Sequence, residues 1–346
     1  MKAVVFDSYS EDTDVLAYRE VDDPEPGPTD VIIRVKAAAL NFNDIWARRG
    51  RPLAVPLPHI SGTDAAGVVE AVGAAVTTVA PGDEVVVHAG HSCRVCAACT
   101  SGEEFFCREF KLYGFQTGPL VGTQAEYCRV QEAQAVPKPG NVTWEEAAAL
   151  PLCLATSWRM LVTRARIRLG DTVLVWGAAG GLGVYAIQIA LLAGAVPIAV
   201  VGSARKEELV TSLGAEHVIN RSHQNVADEV ARLTEKAGVD VVFEHTGQAT
   251  WAESVRVCRW GGTIVVCGAT SGYEAQTDLR FLWNKQQNHL GSHVASRAET
   301  EAALELVAAG RIRPVIGEVV GLSEAPRAHK LMESGGLLGK LVYVVD

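Results

Sequence analysis

Residues 172–202 read TVLVWGAAGGLGVYAIQIALLAGAVPIAVVG. TVLVW is a short apolar run suited to a strand buried on both faces, GAAGGLG is a tight turn, VYAIQIALLAGA has the length of a helix, and PIAVVG is a second buried strand. Gly177, Gly180 and Gly183 stand at G-x-x-G-x-x-G spacing between strand and helix. Backbone amides at such a turn, backed by the positive end of a helix, receive a pyrophosphate. Gly177, Gly180, Gly181, Leu182 and Gly183 are therefore candidate dinucleotide-binding residues. A bare glycine pattern would equally mark a tight turn, but strand, turn, helix and second strand in order within one βαβ unit select the dinucleotide reading. No charged residue falls between 172 and 204, a length that raises a transmembrane helix. Gly177, Gly180, Gly181, Gly183, Gly194 and Pro197 break that stretch into separate elements instead.

The alternation continues toward the C-terminus. SARKEELVTSLGA, VADEVARLTEKAG and TWAESVRVCRWGG read as helices, with HVIN, VDVVFEHTG and TIVVCGATSG as strands between them, and this succession demands a parallel sheet with helical crossovers. RAETEAALELVAAGRIRP is then helical. VIGEVVGLSEAPRAHKLMESGGLLGKLVYVVD returns to β-like runs that are expected to rejoin the N-terminal region. There the pattern differs: KAVVF, DVIIRVKAAAL, AAGVVEAVG, DEVVVHAG and AEYCRV are short alternating strands punctuated by PEPGPTD and APGD, consistent with a mostly antiparallel, partly open barrel. WEEAAALPLCLATSWRMLV reads as a helix between the two regimes.

The end of the second strand bears on the choice of cofactor. A ribose 2′-hydroxyl is usually received there by Asp or Glu, yet VVGSARK offers no acid before Glu207. Ser203, Arg205 and Lys206 suit a 2′-phosphate through charge-assisted hydrogen bonds, which favours NADPH over NADH. The plainer alternative is Ser203 as a helix cap beside two solvated cations. His245, with Thr246 beside it in FEHTG, follows the fourth strand of the sheet. At that edge it either touches ribose or nicotinamide or makes ordinary loop hydrogen bonds.

Cys93, Cys96, Cys99 and Cys107 form C-x2-C-x2-C-x7-C, a spacing that fits one structural Zn2+ held by four thiolates in a closed site with no place for substrate. Cys128, Cys153, Cys258 and Cys267 lie singly in apolar surroundings and read as small buried hydrophobes. The 346 residues carry 31 Lys+Arg against 40 Asp+Glu, a formal charge of -9. That balance disfavours nucleic acid and anionic membrane surfaces and suits a small neutral or carbonyl-bearing molecule. MKAVVFDSYSEDTD lacks the long apolar core and cleavage site of a secretory signal. A cytoplasmic, reducing location is expected, and zinc is preferred to disulfides.

VKAAALNFNDIWARRG, HISGTDAAGVVEAVG, PGDEVVV, the cysteine lobe, GTQAEYCRV and GAAGGLG occur in an order that resembles the medium-chain dehydrogenase/reductase superfamily over essentially the whole chain. The resemblance implies an α/β protein with a Rossmann doubly wound parallel sheet domain over 153–294. It also implies a GroES-like, partly open antiparallel β-barrel catalytic domain over 1–152 and 295–346, with the zinc lobe at 91–110, a cleft between domains, and a homodimer or homotetramer. In the zinc alcohol dehydrogenases of this superfamily a catalytic zinc is held by a Cys, by the His of a GHE motif and by a further Cys or acid. Here the first position falls on Asn41, the second on Thr63 with Asp64 after it, and the third on Leu152, one residue before Cys153. A shift of one residue on a helix turns a side chain by about 100°. An improvised metal site from His59, Asp64, His91 and Cys153 is the alternative. The chain is similar instead to the zinc-independent quinone oxidoreductases, in which NF-x-D is usual, while keeping a cysteine lobe more typical of the alcohol dehydrogenases.

Hydride addition to a simple carbonyl builds alkoxide charge, whereas conjugate reduction spreads it over an enolate that neutral donors can hold. The expected reaction is zinc-independent hydride transfer from NADPH to an activated double bond of an enone, enal or quinone. Asn41 is a candidate to orient substrate or nicotinamide, or else satisfies loop backbone. Asp44 would fix Asn41 or a ribose hydroxyl, or start the helix that follows. Thr63 and Asp64 are candidates to line the site, Asp64 as acid or base or as a structural acceptor. Trp46, Tyr113 and Trp283 would shape an apolar pocket or belong to the core. Two alternatives remain open: an alcohol dehydrogenase or carbonyl reductase, and a non-catalytic nucleotide-binding sensor.

Overall fold

The computed structural model describes residues 1–345, which divide into two compact units, 153–294 and the combination of 1–152 with 295–345. In the first unit six parallel strands lie side by side in the order His217–Asn220, Val196–Val201, Thr172–Val175, Val239–Glu244, Cys258–Val266, Asn288–Gly291. Numbered along the chain this is 3-2-1-4-5-6, the doubly wound order in which ligands gather at the carboxyl ends of the strands. The central strands Thr172–Val175, Val196–Val201 and Val239–Glu244 are largely apolar because helices cover both faces. Leu174, Trp176, Ile198, Val200, Ile219, Val242 and Ile264 form part of one buried cluster.

In the second unit the long strand Asp30–Ala39 is the organiser. It pairs antiparallel with Asp64–Val72, with Tyr127–Gln131 and with the C-terminal strand Lys340–Val344. The C-terminal tail thus returns to the N-terminal region, and Val342 opposite Ala39 brings Lys340 to the end of the strand that leads into Asn41. A short sheet of Gly90–His91 and Lys111–Leu112 carries the cysteine lobe.

Several expected elements differ. WEEAAALPLCLATSWRMLV is not one helix: Trp144–Ala148 stops, Pro151–Trp158 begins again, and Arg159–Arg164 widens into a π-helical turn. Pro151 has no N–H to continue the first helix and starts the second, where none is needed. The helix after TG covers only Trp251–Val257, and CRWGG already belongs to the strand Cys258–Val266. The tail read as β contains the helix Ala325–Glu333, and the short edge strand Asn288–Gly291 gave too little apolar alternation to stand out. Among the described residues no helix is long and apolar enough to cross a membrane.

Candidate functional site

The glycine turn has the shape a pyrophosphate needs. Gly177 sits at φ +55, in the left-handed region. A Cβ at Gly183 would lie 2.5 Å from Gly177 O and from Ala178 Cα, so the start of the helix Gly183–Leu192 approaches the backbone of the turn too closely for any side chain. At Gly180 a Cβ would meet only Gly177 O, at 3.3 Å, and otherwise point into open space. Gly181 and Leu182 complete the turn, and Leu182 O accepts a hydrogen bond from Ser157 Oγ at 3.0 Å. This is the cradle a dinucleotide phosphate would fill, with the helix N-terminus behind it.

One strand over, Ser203 stands exposed at the N-cap position of the helix Ala204–Ser212, and its hydroxyl makes no capping hydrogen bond. Arg205 is exposed and Lys206 half-buried. Burial and the nearby Arg221 charge hold the Lys206 pKa below its ordinary value. Arg221, at the end of His217–Asn220, lies with its Nε 3.7 Å from where a Cβ on Gly202 would be. Two cations therefore face the end of the second strand, and the first acid, Glu207, is engaged by Asn220 Nδ2 at 3.3 Å. Arg221 was not legible in the sequence, because the cations that suggest a 2′-phosphate site follow Val196–Val201, whereas Arg221 follows its sheet neighbour His217–Asn220. His245 donates from Nε2 to Trp176 O at 2.9 Å, and Thr246 N donates to Glu244 Oε1 at 2.8 Å.

The four candidate catalytic residues come together, all buried. Asp64 Oδ2 accepts from Asn41 Nδ2 at 2.9 Å and from Lys340 Nζ at 3.1 Å, and Asp64 Oδ1 accepts from Leu152 N at 2.8 Å. Lys340 also reaches Asn41 Oδ1 at 2.5 Å and Leu40 O at 3.1 Å. Asp44 accepts from Asn41 N at 2.8 Å and Gly62 N at 3.0 Å, starting the helix Phe42–Arg49 and tying it to the Thr63 segment. Burial pushes the Asp44 carboxyl up to about 7, against the two amides and the Lys340 charge. Thr63 Oγ1 donates to Tyr113 O at 2.9 Å. Lys340, only 2% exposed, was missed. Its signal was present in LLGKLVYVV, a single cation inside an apolar strand, which demands a buried counter-charge.

These residues do not suit the catalytic zinc of the alcohol dehydrogenases. The expected ligand positions hold an amide, a hydroxyl and an aliphatic side chain, and the carboxylates beside them, Asp64 and Asp44, are already claimed by three donors and two. His59 does not join them: its ring nitrogens lie 3.1 Å from Pro56 O and 3.0 Å from Gly114 O. His91 Nδ1 faces Gln134 Oε1 at 3.3 Å. Of the aromatic candidates, Tyr113 is core, with its hydroxyl bonded to Arg129 O, Trp46 packs edge-on against Phe42, and Trp283 is exposed.

The lobe cysteines do suit a metal. The Sγ atoms of Cys93, Cys96, Cys99 and Cys107 all lie within 4.8 Å of one another, with separations of 3.5, 3.6 and 3.9 Å for the 93–107, 96–99 and 93–99 pairs. Zn–S bonds of about 2.3 Å give a tetrahedral edge of about 3.8 Å. Glu109 N donates to Cys107 Sγ at 3.4 Å, as an amide does to a thiolate. Among the described residues no other three His, Cys, Asp or Glu side chains converge in this way.

Comparison with known proteins identifies the family. Residues 27–140 match the alcohol dehydrogenase GroES-like domain and residues 181–309 the zinc-binding dehydrogenase family. Crotonyl-CoA reductase of Streptomyces collinus is 38% identical, the match covering 91% of this chain and 79% of that protein. A crystal structure of an NAD-dependent alcohol dehydrogenase superposes with a TM-score of 0.95 at 41% identity, covering all of both chains. The 2-octenoyl-CoA carboxylase reductase CinF, in complex with NADP and 2-octenoyl-CoA, superposes at 0.92 with 34% identity over 99% of this chain and 87% of that one. The chain belongs to the medium-chain dehydrogenase/reductase superfamily. It is an NAD(P)-dependent oxidoreductase.

Proposed function

We propose that the protein reduces the carbon–carbon double bond of an α,β-unsaturated carbonyl compound, with NADPH as hydride source and an enoyl thioester such as an enoyl-CoA as the substrate class. The observation that carries this reading is the Asn41–Asp64–Lys340 cluster, which offers fixed hydrogen-bonding groups where alcohol dehydrogenases gather metal ligands. The names of the similar crotonyl-CoA and 2-octenoyl-CoA reductases point to the same chemistry. NADPH, when bound, supplies hydride to the β-carbon. Gly177, Gly180, Gly181, Leu182 and Gly183 hold its pyrophosphate, Ser203, Lys206, Arg205 and Arg221 its 2′-phosphate, and His245 and Thr246 line the nicotinamide side. Asn41, oriented by Lys340 and Asp64, shapes the substrate site, with Thr63 and Asp44 fixing the backbone around it. The enolate formed after hydride addition spreads its charge onto the thioester oxygen and asks less of the protein than an alkoxide would. Zn2+ in the cysteine lobe is structural.

The test is cofactor turnover followed at 340 nm with crotonyl-CoA, a simple enone, a benzoquinone and a saturated aldehyde, each with NADPH and NADH, and a saturated alcohol with NADP+ and NAD+. The reading expects NADPH-dependent turnover of crotonyl-CoA at the highest kcat/KM. Turnover confined to saturated aldehydes, or to alcohols with NAD+, would replace it by the alcohol dehydrogenase reading. NADPH binding without turnover of any member of the panel would replace it by the sensor.

A further inference from the structure

Glu244 ends the fourth strand of the parallel sheet with a fully buried carboxylate, and the groups bonded to it all donate. Thr246 N and Gly247 N reach Oε1 at 2.8 and 3.0 Å, the Thr250 hydroxyl lies 2.9 Å from both oxygens, and Ser254 Oγ donates to Oε2 at 2.6 Å. The first two are peptide amides of the turn that follows His245. Ser254 Oγ in turn accepts from Trp176 Nε1 at 2.8 Å, and Trp176 immediately precedes Gly177. The circuit closes through His245. Burial lowers its pKa and keeps the ring neutral, and because a carbonyl oxygen can only accept, the proton sits on Nε2 and points at Trp176 O, 2.9 Å away. The same ring packs against the glycine turn, with Cε1 2.9 Å from where a Cβ on Gly177 would be.

The geometry points to Glu244 as a positioning residue for hydride transfer, holding the 245–247 turn against the glycine turn through the ring Glu244–Ser254–Trp176–His245. The inference rests on the reading that these two turns receive the nicotinamide and pyrophosphate ends of NADPH. They follow the fourth and first strands, which are neighbours in the sheet. One carboxylate therefore sets the spacing between the two ends of the cofactor, with no contact to either. A neutral amide replaces it only in part. Gln at 244 keeps an oxygen for the Thr246 and Gly247 amides, but its NH2 would face the Ser254 and Thr250 hydroxyls, which must then turn their protons away and accept. The charge and the short bond from Ser254 are lost, and hydride transfer is sensitive to misplacement of the reacting carbon.

The test uses the full-length holoenzyme and three variants, Glu244→Gln, Ser254→Ala and Trp176→Phe, with NADPH titration of the wild type first. Failure of the wild type to bind any nicotinamide cofactor would sink the cofactor reading itself, separately from the role of Glu244. Glu244→Gln is expected to raise KM for NADPH at least tenfold and lower kcat severalfold. Ser254→Ala and Trp176→Phe are each expected to raise KM for NADPH about three- to tenfold. Because both break the same link, the double variant should be no worse than the poorer single one. If Glu244→Gln fails to fold, the other two variants and their double decide. Lower thermal stability with unchanged KM and kcat per folded molecule would reduce Glu244 to a structural residue, and multiplicative effects in the double variant would break the ring.

Discussion

Lys340→Met should be the most damaging single change in the unit formed by residues 1–152 and 295–345. The ammonium is 2% exposed and touches three acceptors: Asp64 Oδ2 at 3.1 Å, Asn41 Oδ1 at 2.5 Å and Leu40 O at 3.1 Å. Met fills most of the volume, so cavity formation contributes little. What remains is an Asp64 carboxylate, 0% exposed, holding Asn41 Nδ2 and Leu152 N, beside Asn41 Oδ1 and Leu40 O, which both lose the Lys340 donor. Removing one partner of a buried ion pair costs about 3–5 kcal/mol. For a folding unit of this size that corresponds to a fall in Tm on the order of 10 °C. Asp64→Asn in the same chain removes the stranded charge. The double variant should therefore recover at least about 2 kcal/mol relative to the sum of the two single changes. Urea unfolding followed by circular dichroism, with a thermal melt in parallel, gives all four corners of the cycle. A loss below about 1 kcal/mol for Lys340→Met, or additivity within about 0.5 kcal/mol, would refute the argument.

Other consequences can be checked independently. Arg221→Ala should raise KM for NADPH by tenfold or more while leaving KM for NADH nearly unchanged, measured by initial rates with the two cofactors; equal effects on both would remove Arg221 from the 2′-phosphate site. Asp44 carries a folded pKa of about 7 against an ordinary 3.8. The folded protein thus holds this proton more tightly than the unfolded chain. Its contribution to stability is complete below pH of about 4 and is lost as pH rises through 7, a span on the order of 4 kcal/mol. The difference in unfolding free energy between wild type and Asp44→Asn should follow that slope, and a difference independent of pH would contradict it. Wild-type protein should release one Zn2+ per chain to a chromogenic chelator on thiol modification. Cys107→Ser should release none and melt several degrees lower while keeping kcat per folded molecule. Two Zn2+ per chain, or kcat abolished with the metal, would mean that the lobe is not the whole of the metal chemistry.

Much of the architecture was legible because one stretch carried it. TVLVW, the three glycines and PIAVVG read unambiguously as strand, turn and strand, and the alternation beyond them left a doubly wound sheet as the only arrangement with buried apolar strands. Asn288–Gly291 was not legible: four residues with two polar side chains at a sheet edge have no period to detect. Pro151 was in plain view, but an apolar helical pattern on both sides concealed the break. At the site, the resemblance to the alcohol dehydrogenases and quinone oxidoreductases brought out Asn41, Asp44, Thr63 and Asp64. Lys340 lies about 280 residues from Asp64, and only the antiparallel pairing of the last strand with Asp30–Ala39 brings them together. Glu244 was passed over in favour of its neighbour His245, because a histidine in a loop suggests chemistry while a carboxylate at a strand end does not. The reduction of an activated double bond, inferred from the missing thiolate and histidine ligands, agrees with the relatives named for enoyl-CoA reduction.

The most direct measurement follows the hydride itself. NADPH carrying deuterium at nicotinamide C4 is turned over with crotonyl-CoA, and the product is analysed by mass spectrometry and NMR. Deuterium at the β-carbon of a saturated butyryl thioester, with solvent hydrogen at the α-carbon, is the predicted result. Deuterium on the carbonyl carbon, with the double bond intact, would contradict it.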